Sequence, residues 1–301
     1  MERLLGLISP FASLPIFLAL NAIICLISIY WVFANVRYEK NPKYHKTIQA
    51  IGLVVSLFVI SILWIKQWNI GDLLAFYVLF ASIIFTASFF LNNKYVRKES
   101  RGWFLSIVFV FLIRGYFYEP WQIPSGSMKP NMEIGDFVLV NRYKYGLEVP
   151  FTGRSKIFSV PPEIGEVVVF YPPHKPNVPF VKRVIAKGGD EVSYVNKRFF
   201  INGEEILKNF LSDGEQGEKI FYEELNGKRY VVRNLDRPAR NKTWMVPEGM
   251  FFVVGDNRDN SSDSRSWGFI SEDDIWGRAD FIWLSWESGE FPSISRAGEI
   301  K

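Results

Sequence analysis

The apolar residues of this chain are gathered at one end, and that asymmetry decides what each end can become. Within residues 1–118, four stretches approach the roughly 20 apolar residues that a helix needs to cross a bilayer. They are Leu14 to Ala34, Ile48 to Ile65, Leu73 to Leu91 and Trp103 to Tyr118. A hydrocarbon core offers no water to a backbone amide, so segments of this kind are expected as helices. The first three are nearly free of charge, whereas the fourth is short and holds Arg114. An arginine near a helix end can reach the headgroups, and a buried or interfacial helix is the alternative there. Trp64, Trp68, Trp103, Tyr116 and Tyr118 fall at the edges, where aromatic rings favour the interface. Before the first stretch stands one basic residue, Arg3, offset by Glu2. With further apolar segments following, this reads as an anchor and not as a cleaved leader.

The connections set the orientation. Arg37, Lys40, Lys43 and Lys46 against Glu39 lie between the first and second stretches, and Lys94, Arg97, Lys98 and Arg101 against Glu99 between the third and fourth. The loop from Lys66 to Asp72 carries one charge of each sign. The excess of Lys and Arg places both basic connections in the cytoplasm, so the N-terminus and everything after Tyr118 are expected outside.

Residues 119–301 are enough for one sizeable core, and they read as β structure. Short apolar or alternating runs recur, such as Phe137 to Val140, Glu166 to Phe170, Phe180 to Ala186, Met250 to Val254 and Phe281 to Trp286. Turn signals separate them, among them Ile134-Gly135-Asp136, Gly188-Gly189-Asp190 and Asn226-Gly227. No long 3.6-residue period appears, and Asn209 to Arg229, with four glutamates, reads as a surface excursion. The expected architecture is therefore a membrane anchor of about four transmembrane α-helices over 1–118 and a mostly-β exported domain of antiparallel sheets over 119–301. The net charge of +4 is dispersed and leaves no nucleic-acid footprint. The single cysteine, Cys25, cannot form an intrachain disulfide.

The run Ile123-Pro124-Ser125-Gly126-Ser127-Met128-Lys129-Pro130 puts two hydroxyls in a turn just after the last apolar stretch. Histidine is nearly absent; the chain has His45 and His174. A serine nucleophile here is thus better served by a base other than imidazole, and Lys182, in Phe180-Val181-Lys182-Arg183-Val184-Ile185, is the obvious substitute. His174 lies between prolines, a poor mount for a base that a carboxylate must hold. A Ser-x-x-Lys pair needs a spacing of three, and Ser127 to Lys129 is two. A metal site lacks His and Cys ligands. In Gly255-Asp256-Asn257-Arg258-Asp259-Asn260 a calcium loop is spoiled by Arg258 at the third position and Ser261 at the sixth. Neither cofactor nor metal is expected.

A serine with a lysine base remains, and here the sequence resembles type I signal peptidase, the bacterial leader peptidase family. Three blocks carry the likeness: Pro124-Ser125-Gly126-Ser127-Met128-x-Pro130; Lys182-Arg183 followed by Gly189-Asp190; and Gly255-Asp256-Asn257-Arg258-Asp259-Asn260-Ser261-x-Asp263-Ser264-Arg265-x-Trp267-Gly268. Gly135 to Val140, Tyr145-Gly146 and Gly277-Arg278-Ala279 agree as well, so the likeness runs from about Glu119 to Trp286.

The resemblance implies roles for individual residues. Ser127 would be the nucleophile that forms an acyl-enzyme and Lys182 its general base. Ser125 is similar to the family's side-chain oxyanion donor, working with the Ser127 backbone N–H. Ser261 is similar to the hydroxyl that orients the lysine amine, Asp263 and Arg265 to a supporting ion pair, and Gly255 to a point of close backbone approach. Asp256, Asn257, Asp259 and Asn260 are expected to order the loop that presents Ser261. Asn131 stands where the family usually has threonine and Gly188 where it often has proline, and many members have fewer spans. The implied substrates are signal peptides of exported pre-proteins with small residues at −1 and −3. They would lie beside a strand edge with alternate side chains in shallow pockets, for which Ile123, Met128, Phe137 and Val168 are the candidate lining. The implied location is the bacterial cytoplasmic (inner) membrane, multi-pass, with the catalytic domain on the outer or periplasmic face. Trp121, Trp283 and Trp286 are candidates to rest on lipid, with ordinary core packing as the alternative.

An unperturbed lysine is only about 0.04% neutral at pH 7, and bringing it into range costs roughly 4 to 5 kcal/mol. Phe180, Val181, Val184 and Ile185 are expected to supply the desolvation, with Arg183 on the opposite strand face. Two rival functions differ in kind. A self-processing Ser–Lys regulator would need a DNA-binding region, for which cytoplasmic loops of about a dozen residues are too short. A non-catalytic anchored β module would have no use for Ser125, Ser127, Lys182 and Ser261 together.

Overall fold

The computed structural model describes residues 10–37, 70–149, 155–176, 178–214, 217–287 and 289–300, and the expected span Ile48 to Ile65 lies outside them. By internal contacts the chain divides into two units, Met1–Gly115 and Tyr116–Lys301.

In the first unit the described helices are α1 (Pro10–Arg37), α2 (Ile70–Phe90) and α3 (Lys94–Leu112). Among the described residues, Leu73–Phe90 is the one stretch long and apolar enough to cross a membrane; the apolar stretch Asn21–Arg37 is shorter. The fourth expected span is corrected. Trp103 to Tyr118 is not a helix of its own, because α3 begins at Lys94, ends at Leu112, and passes through a π-helical turn, Ile113–Phe117, into a strand at Tyr118. The cause of the early start is Asn93, whose Oδ1 accepts the N–H groups of Tyr95 (3.0 Å) and Val96 (3.1 Å). Those first-turn donors would otherwise go unpaired, so the cap fixes the helix there and draws the charged residues Lys94 to Arg101 into it. Trp31 of α1 packs on Val96 and lies 4.5 Å from the Trp103 ring. Tyr77 of α2 donates to Asn21 Oδ1 of α1 at 2.5 Å.

The second unit is mostly β. Its strands are β1 (Tyr118–Gln122), β2 (Asp136–Asn141), β3 (Val167–Phe170), β4 (Phe180–Lys187), β5 (Glu191–Val195), β6 (Arg198–Ile201), β7 (Leu207–Asp213), β8 (Lys219–Leu225), β9 (Lys228–Asn234), β10 (Lys242–Met245), β11 (Met250–Val254), β12 (Ile270–Ser271), β13 (Ile275–Ser285) and β14 (Gly298–Glu299), besides shorter pairs. The principal sheet runs β1-β2-β13-β3-β4-β11-β12, with β14 on β13; β7-β8-β9 form a separate arm, and β10-β5-β6 a smaller sheet. Every pairing between these strands is antiparallel.

The pleat explains the cores. In β3 all four residues are buried, as a run of three valines and a phenylalanine requires of a strand covered on both faces. Val167 and Val169 pack with Ile123, Met128, Met132 and Val138, while Val168 and Phe170 pack with Tyr145, Val184, Val253 and Ile275. The stretch Asn209 to Arg229, expected as a surface excursion, is instead most of the β7-β8-β9 arm. Its charge hid it: Glu223 is 1% exposed and takes both Arg258 Nη1 (2.9 Å) and Nη2 (2.5 Å). A buried ion pair breaks the apolar alternation by which a strand is read.

Candidate active site

Ser125 has extended backbone and leads into a 3-10 turn, Gly126–Met128, anchored by the buried Met128 side chain. Within the turn Lys129 N–H donates to Gly126 O at 3.2 Å, and Asn257 adds two donors from outside. Its N–H donates to Ser127 O (3.0 Å) and its Nδ2 to Gly126 O (2.8 Å). The turn is thereby fixed from behind, and Ser127 Oγ faces β4.

There Lys182 Nζ donates to Ser127 Oγ at 2.7 Å and to Val181 O at 2.8 Å. Lys182 as a whole is 3% exposed. Burial lowers its pKa to about 8, with Arg265 acting the same way and the Asp263 and Asp256 carboxylates opposing. About a tenth of such lysines are neutral at pH 7, and a neutral amine at 2.7 Å can accept the hydroxyl proton. Ser125 Oγ lies 3.4 Å from Ser127 Oγ.

Arg183 points to the other face, as strand alternation dictates. It grips Asp256 through Nε (2.9 Å) and Nη2 (2.7 Å), donates to Gly165 O, and stacks on Tyr230. The chain turns at Gly255, where no side chain fits: a Cβ would come within 2.2 Å of Ser261 Oγ and 2.5 Å of Ser127 O. Gly255 N–H donates to Asp263 Oδ2 at 3.0 Å, and Arg265 binds Asp263 through Nε and Nη2, each at 2.8 Å. Burial pushes the Asp263 carboxyl up, but the Arg265 guanidinium and the Gly255 N–H hold it below its ordinary value. Ser261 Oγ is within electrostatic reach of that carboxylate. It nonetheless meets no hydrogen-bond geometry with any described group, Lys182 included. The amine's hydrogen bonds go to Ser127 and Val181, and none to Ser261 is present among the described residues.

A groove of about 880 Å³ opens over Ser127. Ile123 and Met128 line it, as does the segment Val178 to Val181. Phe137 and Val168 do not. Val168 is sealed in the core beside Phe170, and the Phe137 ring meets Trp283 edge-on, centroids 5.9 Å apart. His174 is packed between Phe180 and Trp267. Asn131 was missed by sequence reasoning: its Nδ2 reaches both Asp256 Oδ2 (2.6 Å) and Val231 O (2.7 Å). Both partners are at least 100 residues away along the chain, so no local signal could have revealed it.

Residues 96–286 match the signal peptidase family, peptidase S26. This chain belongs to the signal peptidase family. It is similar to signal peptidase I of Pseudomonas fluorescens, 37% identical over 232 residues that cover 70% of this chain and 82% of the relative. Signal peptidase I of Buchnera aphidicola subsp. Schizaphis graminum is 32% identical over 313 residues, covering 85% and 99%. A crystal structure of a signal peptidase I from Enterococcus faecalis V583 is 26% identical and covers 40% of this chain and 97% of its own, with a TM-score of 0.29. As a member of the signal peptidase family the chain is a serine endopeptidase, a hydrolase whose catalytic domain is mostly β.

Proposed function

We propose that this chain is a membrane-bound signal peptidase I that removes signal peptides from exported pre-proteins after an A-x-A-like site, with Ser127 as nucleophile and Lys182 as general base. The observation that carries this reading is the buried Lys182 Nζ at 2.7 Å from Ser127 Oγ. The neutral amine takes the proton of Ser127 as Oγ attacks the scissile carbonyl. Ser125 Oγ and the Ser127 N–H receive the charge on the tetrahedral oxygen. Collapse breaks the peptide bond, and the Lys182 ammonium returns its proton to the leaving amine. Water then attacks the acyl-enzyme with Lys182 again as base, freeing the signal peptide's carboxylate and restoring the serine. Gly255, Asp263 and Arg265 support the site without touching the reacting atoms, and Ile123 and Met128 meet the small residues before the cut.

The N-terminal segment anchors this domain in the bacterial cytoplasmic membrane as a multi-pass unit with the catalytic domain outside. The apolar stretch Leu73–Phe90 and the basic connections support this. Exposed Trp283 and Trp286 are suited to rest on lipid. The deciding experiment is cleavage of a synthetic A-x-A peptide by detergent-solubilised protein. Wild type should cut after the second alanine and Ser127→Ala should not; equal activity in both would overturn the reading.

A further inference from the structure

The groove over Ser127 is not uniform. One part is apolar and belongs to a single core, with Ile123 and Met128 in it and Val181 packed against it. The other part is charged. It is bounded by Lys129 and Glu133 from the segment after the serine and by Glu218 and Arg233 from the arm. Arg233 is held there by its backbone, whose N–H donates to Asp256 O at 2.9 Å beside a bridge to Asn257.

Small apolar residues before the cut belong in the apolar part, so the chain released as the amine product continues into the charged part. The Lys129–Glu133 pair stands in solvent, its side chains 29% and 34% exposed, where screening leaves little net preference. The Arg233–Glu218 pair is different. The two are 3.2 Å apart, with the arginine side chain 16% exposed and the glutamate 8%, so the guanidinium is the more open partner. Arg233 Nε is buried, but the two Nη groups carry four of a guanidinium's five N–H donors, more than this one pairing uses.

We propose that Arg233 is a specificity-determining residue that favours an acidic side chain within the first few residues after the cut. This rests on the groove being a peptide-cleaving site. The test uses full-length protein in detergent and A-x-A peptides identical except at the second and third positions after the cut, which are Glu, Gln or Lys. Wild type should prefer the Glu peptide to the Lys peptide by about five- to tenfold in kcat/KM. Arg233→Gln should bring that ratio to within about twofold of unity and Arg233→Lys should keep much of it, since charge and not fork geometry sets the sign. Glu218→Gln should widen the ratio, and salt raised to about 0.5 M should narrow it. An unchanged ratio in Arg233→Gln, or no preference in wild type, overturns the proposal. If Arg233→Gln fails to fold, the salt series on wild type decides: a ratio indifferent to salt overturns it equally. Failure of all three peptides to be cut by wild type would instead overturn the assignment of the groove as the cleavage site.

Discussion

Lys182 carries its charge at a cost, with one hydroxyl and one carbonyl to replace the water it has lost. Two outcomes follow from a pKa lowered to about 8. The base must be neutral to act, so kcat/KM should rise with pH through about 8 and fall tenfold per pH unit in more acid solution. A profile flat from pH 6 to about 9 would remove lysine from the role. The same depression bears on stability. Between about 8 and the ordinary 10.5 the folded amine is neutral while the unfolded one stays charged. Stability should therefore increase with pH across that window and carry the full cost below it. Lys182→Met should be more stable than wild type at pH 7 by up to roughly 3 kcal/mol. That gap should close by about pH 10.5 in denaturant unfolding. In the proposed mechanism Ser125→Ala removes a donor aimed at charge present only in the transition state. It should lower kcat by about 10²- to 10³-fold with little change in KM, and a loss confined to KM would dismiss it as an oxyanion donor. That Ser125, Ser127 and Lys182 lie side by side was legible because two short motif blocks carry them. That the amine's second hydrogen bond goes to the Val181 carbonyl was not legible, since which acceptor an amine chooses depends on its rotamer.

The strands were legible wherever an apolar run faced a core, as in Val167 to Phe170 and Met250 to Val254. They were obscured in the arm, where the buried Glu223–Arg258 pair fills the interior. Arg183 and Asp256 are each 0% exposed, and together they join β4, which carries Lys182, to the loop whose Asn257 holds the turn Gly126–Met128. Removing one partner strands the other charge in a dry site. Asp256→Ala should therefore destabilise by about 3–5 kcal/mol, and the double change Asp256→Ala with Arg183→Met should recover much of that loss. Urea unfolding of the three variants measures this; additive losses would mean the two charges do not depend on each other. Asn257→Ala leaves the Gly126 carbonyl without its side-chain donor. It should act mainly on kcat through the position of Ser127, because alignment and not substrate contact is what the amide supplies. A change in KM alone would argue against this.

At the scale of the molecule, the membrane reading divides the chain's surroundings. In a Cys25→Ala background, a cysteine placed at Lys98 should resist a membrane-impermeant thiol reagent in intact cells, and one at Gly214 should react once any outer membrane is made permeable. Reaction at Lys98 with protection at Gly214 would put the catalytic domain in the cytoplasm. The apolar stretch Leu73–Phe90 was legible by length and composition, but the start of α3 was not, because a side-chain cap at Asn93 outweighed the boundary that apolarity alone suggests. The C-terminal segment after β13 turns back on itself through a bridge between Ser285 and Ser293, and it leaves Phe291 94% and Ile294 74% exposed beside Trp286. Large apolar side chains this open are suited to a bilayer surface. In a Cys25→Ala background, a fluorophore placed at Phe291 is therefore expected to be quenched by brominated lipid in proteoliposomes, and an absence of quenching would mean that this corner faces water.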